Sequence, residues 1–134
     1  MIVTNNDFIH EPIDRRARVL LVEDHDIGRR SLSRLLDSLG YEVTEVVDGT
    51  SALEALETQA AFDFVLTDVR LPDLDGRDVA HAAGEMVPRP RIGLMTGWDV
   101  EPEETCRLGV DWVFLKPLNV REIVAKLQPA SAEH

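Results

Sequence analysis

The chain has 134 residues and carries 14 Lys+Arg against 25 Asp+Glu, a formal net charge of −11; this length suits one domain and would cramp two. With 44% hydrophobic and 29% charged residues it has ordinary globular composition, which argues against disorder. The acidity weighs against nucleic acid or an anionic membrane as a direct partner, the single Cys106 excludes an internal disulfide framework and fits a reducing compartment, no apolar run approaches the roughly 18 residues of a membrane span, and Met1–Asp7 shows no secretory signal, so a soluble cytoplasmic domain is expected.

Residues 1–17 show no sustained periodicity and read as an N-terminal tail. Val19-Leu20-Leu21-Val22 is a continuous apolar run, the pattern of a strand covered on both faces. Asp26 is a candidate N-cap for a helix whose Ile27, Leu32, Leu35, Leu36 and Leu39 recur at helical spacing until Gly40 stops it. Tyr41 to Val47 reads as a second strand, and its partial alternation suits a sheet edge. Asp48-Gly49 reads as a turn, and Ala52, Leu53 and Leu56 mark a second helix. Phe64-Val65-Leu66-Thr67 is a third strand ending at Asp68, followed by the loop Arg70 to Gly76 and a weak helix from Val79 to Met86, closed by Pro88 and Pro90. Ile92 to Met95 is a fourth strand ending at Thr96-Gly97. Residues 99–108 form a short helix at best, with Pro102 in its first turn and Gly109 at its end. Trp112 to Leu115 is a fifth strand ending at Lys116-Pro117, and Leu118 to Leu127 a closing helix. Residues 128–134 are read as a C-terminal tail.

Strand–helix alternation repeated in this way implies an open, doubly wound parallel sheet with helices on both faces and right-handed crossovers, an α/β fold over residues 18–127. Ligands of such sheets sit beyond the C-terminal strand ends, where the winding reverses. Those ends carry Glu23-Asp24, Asp68, Thr96 and Lys116. Three carboxylates gathered at one edge would repel one another unless a hard divalent cation lay among them. Mg²⁺ suits such oxygen ligands. Lys116 adds a positive charge and Thr96 a hydroxyl. A metal, a lysine and a hydroxyl around an aspartate provide the charge neutralisation and alignment that phosphoryl transfer requires, with the carboxylate as nucleophile.

On these residues the sequence resembles the receiver domain of two-component response regulators. The resemblance covers residues 18 to 127 and rests on Val19-Leu20-Leu21-Val22-Glu23-Asp24, Gly40-Tyr41-Glu42-Val43, Asp48-Gly49 with Ala52-Leu53, Asp68-Val69-Arg70-Leu71-Pro72-Asp73-Leu74-Asp75-Gly76, Met95-Thr96-Gly97 and Lys116-Pro117, in the family's order. It implies a flavodoxin-like sheet of order 2-1-3-4-5. It implies that Asp68 accepts a phosphoryl group from a histidine of a sensor kinase or phosphotransfer protein, and that the product signals to a downstream effector. Glu23, Asp24, Asp68 and the backbone carbonyl of Arg70 would serve the Mg²⁺ site. Thr96 and Lys116 would contact the phosphoryl oxygens, the Lys116-Pro117 bond would be cis, and Gly97 would leave room for the phosphoryl group. Such a domain is a signalling switch that assists its own phosphorylation and dephosphorylation rather than a turnover enzyme. A homodimer is a further possibility.

Two departures stand out. Val113 occupies the position three before Lys116 where the family usually has an aromatic residue, with Trp112 and Phe114 flanking it. The segment from Thr96 to Lys116 is about two residues shorter than the common pattern. They keep open a pseudo-receiver that binds partners without phosphorylation. An aspartyl-phosphate hydrolase is disfavoured because Arg70 stands where such enzymes place a second aspartate, and a dinucleotide enzyme because no glycine-rich fingerprint follows the first strand. Trp98 and Arg70, each two residues past a site residue, are expected to tune the phosphoryl lifetime by hindering or steering water. Asp75-Gly76 reads as a helix start, His25 as a surface residue, Cys106 as a small buried hydrophobe, and Arg29-Arg30 as the solvated face of the first helix, with kinase docking as its minor alternative.

Overall fold

The computed structural model describes residues 16–97, 104 and 107–127. In chain order they form β1 (Arg18–Val22), α1 (Asp26–Ser38), β2 (Glu42–Val46), α2 (Gly49–Thr58), β3 (Phe64–Asp68), α3 (Gly76–Gly84), β4 (Arg91–Thr96), β5 (Trp112–Leu115) and α4 (Val120–Leu127). The strands make one parallel sheet of order β2-β1-β3-β4-β5, as expected. The expected helix over 99–108 lies largely outside the described residues; Glu104, Arg107 and Leu108 are helical.

Side chains of the central strands alternate between two apolar layers, which is why their sequences read as unbroken apolar runs. Leu20, Val22, Val65, Ile92 and Leu94 pack with Ala52, Ala55 and Leu56 of α2 and Val79, Ala80 and Ala83 of α3. On the other face Val19, Leu21, Phe64, Leu66, Met95 and Phe114 pack with Leu32 and Leu36 of α1 and Ile123 and Leu127 of α4. β2 is an edge, and its Glu42 and Glu45 are exposed. Val113 is half-buried against the α2/α3 layer. Phe114 lies in the opposite layer, fully buried over Gly93, where an added Cβ would come within 2.8 Å of its ring. The neighbouring aromatics therefore do not take Val113's place.

Several local expectations are corrected. The N-cap of α1 is His25, whose Nδ1 accepts from the Gly28 amide at 3.4 Å. Asp26 is the first helical residue, and its carboxylate is engaged by Arg29 at 2.9 Å. Asp48 is the N-cap of α2 rather than part of a separate turn, accepting from the Ser51 amide. α3 begins at Gly76, three residues before the expected Val79, and there the reading of Asp75-Gly76 as a helix start holds: Asp75 caps the helix, accepting from the Arg77 amide at 2.8 Å. Gly40 has φ +101° past the end of α1, the left-handed geometry its stop role requires. Arg16 and Ala17, at the end of the expected tail, are already bonded to the domain: Arg16 donates to the carbonyls of Gly40 and Tyr41, and Ala17 accepts from the Glu42 amide.

Candidate functional site

Parallel register brings the C-terminal strand ends level. Val22 pairs with Thr67, Asp68 with Met95, and Thr96 with Leu115. The residues following or closing these strands therefore meet at one edge. Glu23 and Asp68 are buried, Asp24 is exposed, and Thr96 is buried at the end of β4. Carboxylate oxygens of Glu23, Asp24 and Asp68 lie within 4.8 Å of one another, an acidic cluster able to hold a metal ion. Lys116 reaches in from the end of β5: its Nζ lies 2.6 Å from Asp68 Oδ1 and 3.1 Å from Glu23 Oε1. The Lys116 amide donates to the Thr96 carbonyl at 2.7 Å, tying the ends of β4 and β5 together. The Lys116-Pro117 bond is cis, as the resemblance implies, and Val87-Pro88 is cis as well.

A cavity of about 230 Å³ opens beside Asp68 and Lys116, lined also by Val69, Arg70, Met95, Thr96 and Gly97. Gly97 borders the cavity, and a Cβ there would meet none of the described residues within 4 Å. Arg70 also lines a second depression with Leu71, Leu74 and Arg77. Beyond Glu23 and Lys116 lies a larger apolar groove of about 570 Å³ between α1 and residues 117–120.

The electrostatics follow from burial and crowding. Burial pushes the Asp68 carboxyl up, and Glu23 beside it adds to the rise; Lys116 opposes both without cancelling them, leaving it at about 7. Burial works against Glu23 too, but bonds from Asp68, the His25 amide and Lys116 outweigh it and hold Glu23 below its usual range. The two carboxyls titrate as an interacting pair, so protonating one makes it easier for the other to stay ionised. Lys116 is disfavoured as a cation by burial, yet Asp68 and Glu23 more than compensate and raise it.

Sequence reasoning placed Glu23, Asp24, Asp68, Thr96, Lys116 and Arg70 at this edge, and the fold brings all six there. It misread Arg29. That side chain is buried rather than solvated: it donates to Glu45 at 3.0 Å and to the Glu23 carbonyl at 3.2 Å, which also removes it from any docking face. Arg30 is exposed. Three further acids were not singled out for their partners. Asp75 is bonded to Arg77, which reaches Glu104 at 2.9 Å and links α3 to the segment between β4 and β5. Asp73 accepts from the Thr50 hydroxyl and from the amides of Thr50 and Gly49, which hold its carboxyl down at about 2. Its only local signal was an acid in a loop. Trp98 and Cys106 lie outside the described residues. Among the described residues no helix is long and apolar enough to cross a membrane.

Comparison with known proteins agrees with this architecture. The family model of the response regulator receiver domain matches residues 19–128. The chain is 33% identical over 114 residues to the response regulator receiver protein CpdR of Brucella abortus, covering 83% of this chain and 93% of that one. It is 33% identical to the transcriptional regulatory protein QseB of Escherichia coli O157:H7 and 34% identical to the sensor histidine kinase RcsC of Salmonella typhimurium, over 83% and 76% of this chain. It spans only 51% and 11% of the length of those two proteins. Among solved structures, the chemotaxis response regulator CheY4 of Vibrio cholerae matches with a TM-score of 0.75 at 28% identity, over 85% of this chain and 98% of that one. A CheY-like receiver domain protein of Methanospirillum hungatei matches with a TM-score of 0.77 at 26% identity, over 84% and 91%. With its winding, its acidic edge and this family match in agreement, the chain belongs to the response regulator receiver domains of two-component signalling.

Proposed function

We propose that Asp68 is the phosphoacceptor of this receiver and that Mg²⁺ is its cofactor. The observation that carries the reading is the Lys116 ammonium 2.6 Å from Asp68 Oδ1, at an acidic cluster whose Asp68 borders a cavity. In the transfer, a carboxylate oxygen of Asp68 attacks phosphorus on a phosphohistidine of a sensor kinase or phosphotransfer protein. The P–N bond breaks, its electron pair stays on the imidazole, and an acyl phosphate forms. Attack by water on phosphorus breaks the new P–O bond and returns the carboxylate and inorganic phosphate. Asp68 must be ionised to attack, and the adjacent ammonium favours that form.

The donor set fits a hard dication: all three cluster side chains offer carboxylate oxygens, with mutual spacing within 4.8 Å. Glu23, Asp24, Asp68 and the Arg70 carbonyl would hold Mg²⁺, which supplies neutralisation of the charge on the transferring group. Lys116 would then pair with the phosphoryl oxygens, and the Thr96 hydroxyl, at the cavity wall, would donate to one of them. The domain would act as a switch that assists both its own steps, in the cytoplasm, presenting its phosphorylated surface to a downstream protein or a second copy. The close Lys116–Asp68 pair weighs against the pseudo-receiver alternative.

Incubation with Mg²⁺ and a small phosphoramidate or acyl phosphate, followed by intact mass measurement, tests the reading. One added phosphoryl group is expected on the wild type and none on Asp68→Asn. An unlabelled wild type would favour the pseudo-receiver, and equal labelling of both proteins would reject Asp68 as the acceptor.

A further inference from the structure

We infer that Asp73 is a positioning residue for the cation and phosphoryl site, acting by anchoring the loop that leaves Asp68 onto the N-terminus of α2. The inference rests on the reading of Asp68 given above. The loop over residues 69–75 closes at its base, where the Gly76 amide donates to the Val69 carbonyl at 2.7 Å and Arg70 and Asp75 form an antiparallel bridge. The far end is tied to another element. Asp73 Oδ1 accepts from the Gly49 amide at 2.8 Å, while Oδ2 accepts from the Thr50 amide at 2.9 Å and the Thr50 hydroxyl at 2.6 Å. Leu74 lies so close over Gly49 that a Cβ there would come within 2.7 Å of it.

α2 does not depend on Asp73 for its local cap. Asp48 takes the Ser51 amide at 2.8 Å. Asp73 instead satisfies two amides left over at the helix start, across 23 and 24 residues of sequence. The support it grips is rigid, because Ala52, Ala55 and Leu56 of α2 are buried in the core. The loop is thus held between that helix and the strand end bearing Asp68, with Arg70 on the cavity wall. Releasing Asp73 frees the loop tip and lets the segment at Arg70 drift from the acid cluster. Partners that orient a metal site from outside its immediate ligands commonly affect its affinity in this way.

The test compares the full chain with its Asp73→Ala, Asp73→Asn and Asp48→Ala variants, by Mg²⁺ titration calorimetry and by amide hydrogen exchange over residues 69–75. Asp73→Ala is expected to weaken Mg²⁺ about tenfold and to speed exchange in the loop. Asp73→Asn keeps an oxygen acceptor and should fall between it and the wild type. Asp48→Ala removes a cap from the same helix, so it should lower stability while leaving Mg²⁺ affinity unchanged. Wild-type affinity in both Asp73 variants, or equal weakening by Asp48→Ala, would overturn the assignment. A wild type that does not bind Mg²⁺ would instead overturn the site reading beneath it, and the exchange data alone would then decide whether Asp73 holds the loop.

Discussion

Replacing Gly76 by alanine probes how closely α3 is set against the phosphoacceptor strand. Gly76 begins the helix in contact with the end of β3. A Cβ built there would lie 2.7 Å from the carbonyl carbon of Asp68 and 2.9 Å from Val69 Cα, and closer still to the Asp68 carbonyl oxygen. Carbon atoms rest about 3.5–4.0 Å apart, and the oxygen contact is tighter still, so backbone would have to move by more than an ångström. The obstacle is main chain and cannot swing aside like a side-chain tip. The β3 end is also held by the Val69 amide bond to the Met95 carbonyl. Overpacking of this kind costs about 3 kcal/mol, the upper part of its usual range. Alanine recovers up to about 1 kcal/mol over glycine in a helix, leaving a net loss of about 2 kcal/mol. With a urea slope of about 1–3 kcal/mol/M, the unfolding midpoint should fall by about 1 M. Gly84→Ala is the matched control at the other end of α3: its Cβ would meet only Ile92 Cδ1 at 3.9 Å, so the midpoint should hold or rise. A Gly76→Ala midpoint at or above that of the wild type would refute the packing argument.

Stability should depend on pH through Asp68. Its native carboxyl titrates above its unfolded value, so the native state holds the proton longer, and stability falls as pH rises from about 4 towards about 7. Between pH 5 and 7 and without Mg²⁺, the advantage of Asp68→Asn over wild type should grow with pH, with a slope no steeper than about 1.4 kcal/mol per pH unit; urea unfolding across that window checks it, and an advantage that shrinks with pH contradicts it. Arg29→Met should lose about 1–2 kcal/mol, because the Glu23 carbonyl and the Glu45 carboxylate lose a shared donor; an unchanged urea midpoint would show those bonds to be idle. Tyr41→Phe removes the buried hydroxyl that donates to the Leu127 carbonyl at 3.1 Å. It should cost about 1 kcal/mol and quicken amide exchange at the end of α4, and protection there equal to wild type would count against this tether.

Legibility in the sequence followed the range of the interactions. The strands were readable because a strand covered on both faces must be apolar throughout, and Val19–Val22 and Phe64–Leu66 are buried in that way. The site acids and Lys116 were readable because a parallel sheet delivers its C-terminal ends to one edge whatever the helices do. Helix starts were less so. Asp75-Gly76 was readable as the start of α3, but His25 rather than Asp26 caps α1, because which nearby polar group takes a free amide depends on backbone direction that composition does not record. Distant pairings were not readable at all. Arg29 looked like surface until β2 placed Glu45 against it, and Asp73 looked like an ordinary loop acid until the fold set it on α2. Sequence by itself determined the alternation of elements and the chemistry at their ends, since both are written in local periodicity. Only tertiary structure decided which charges are shared, since the distance from Lys116 to Glu23 and Asp68 exists only once the sheet has closed.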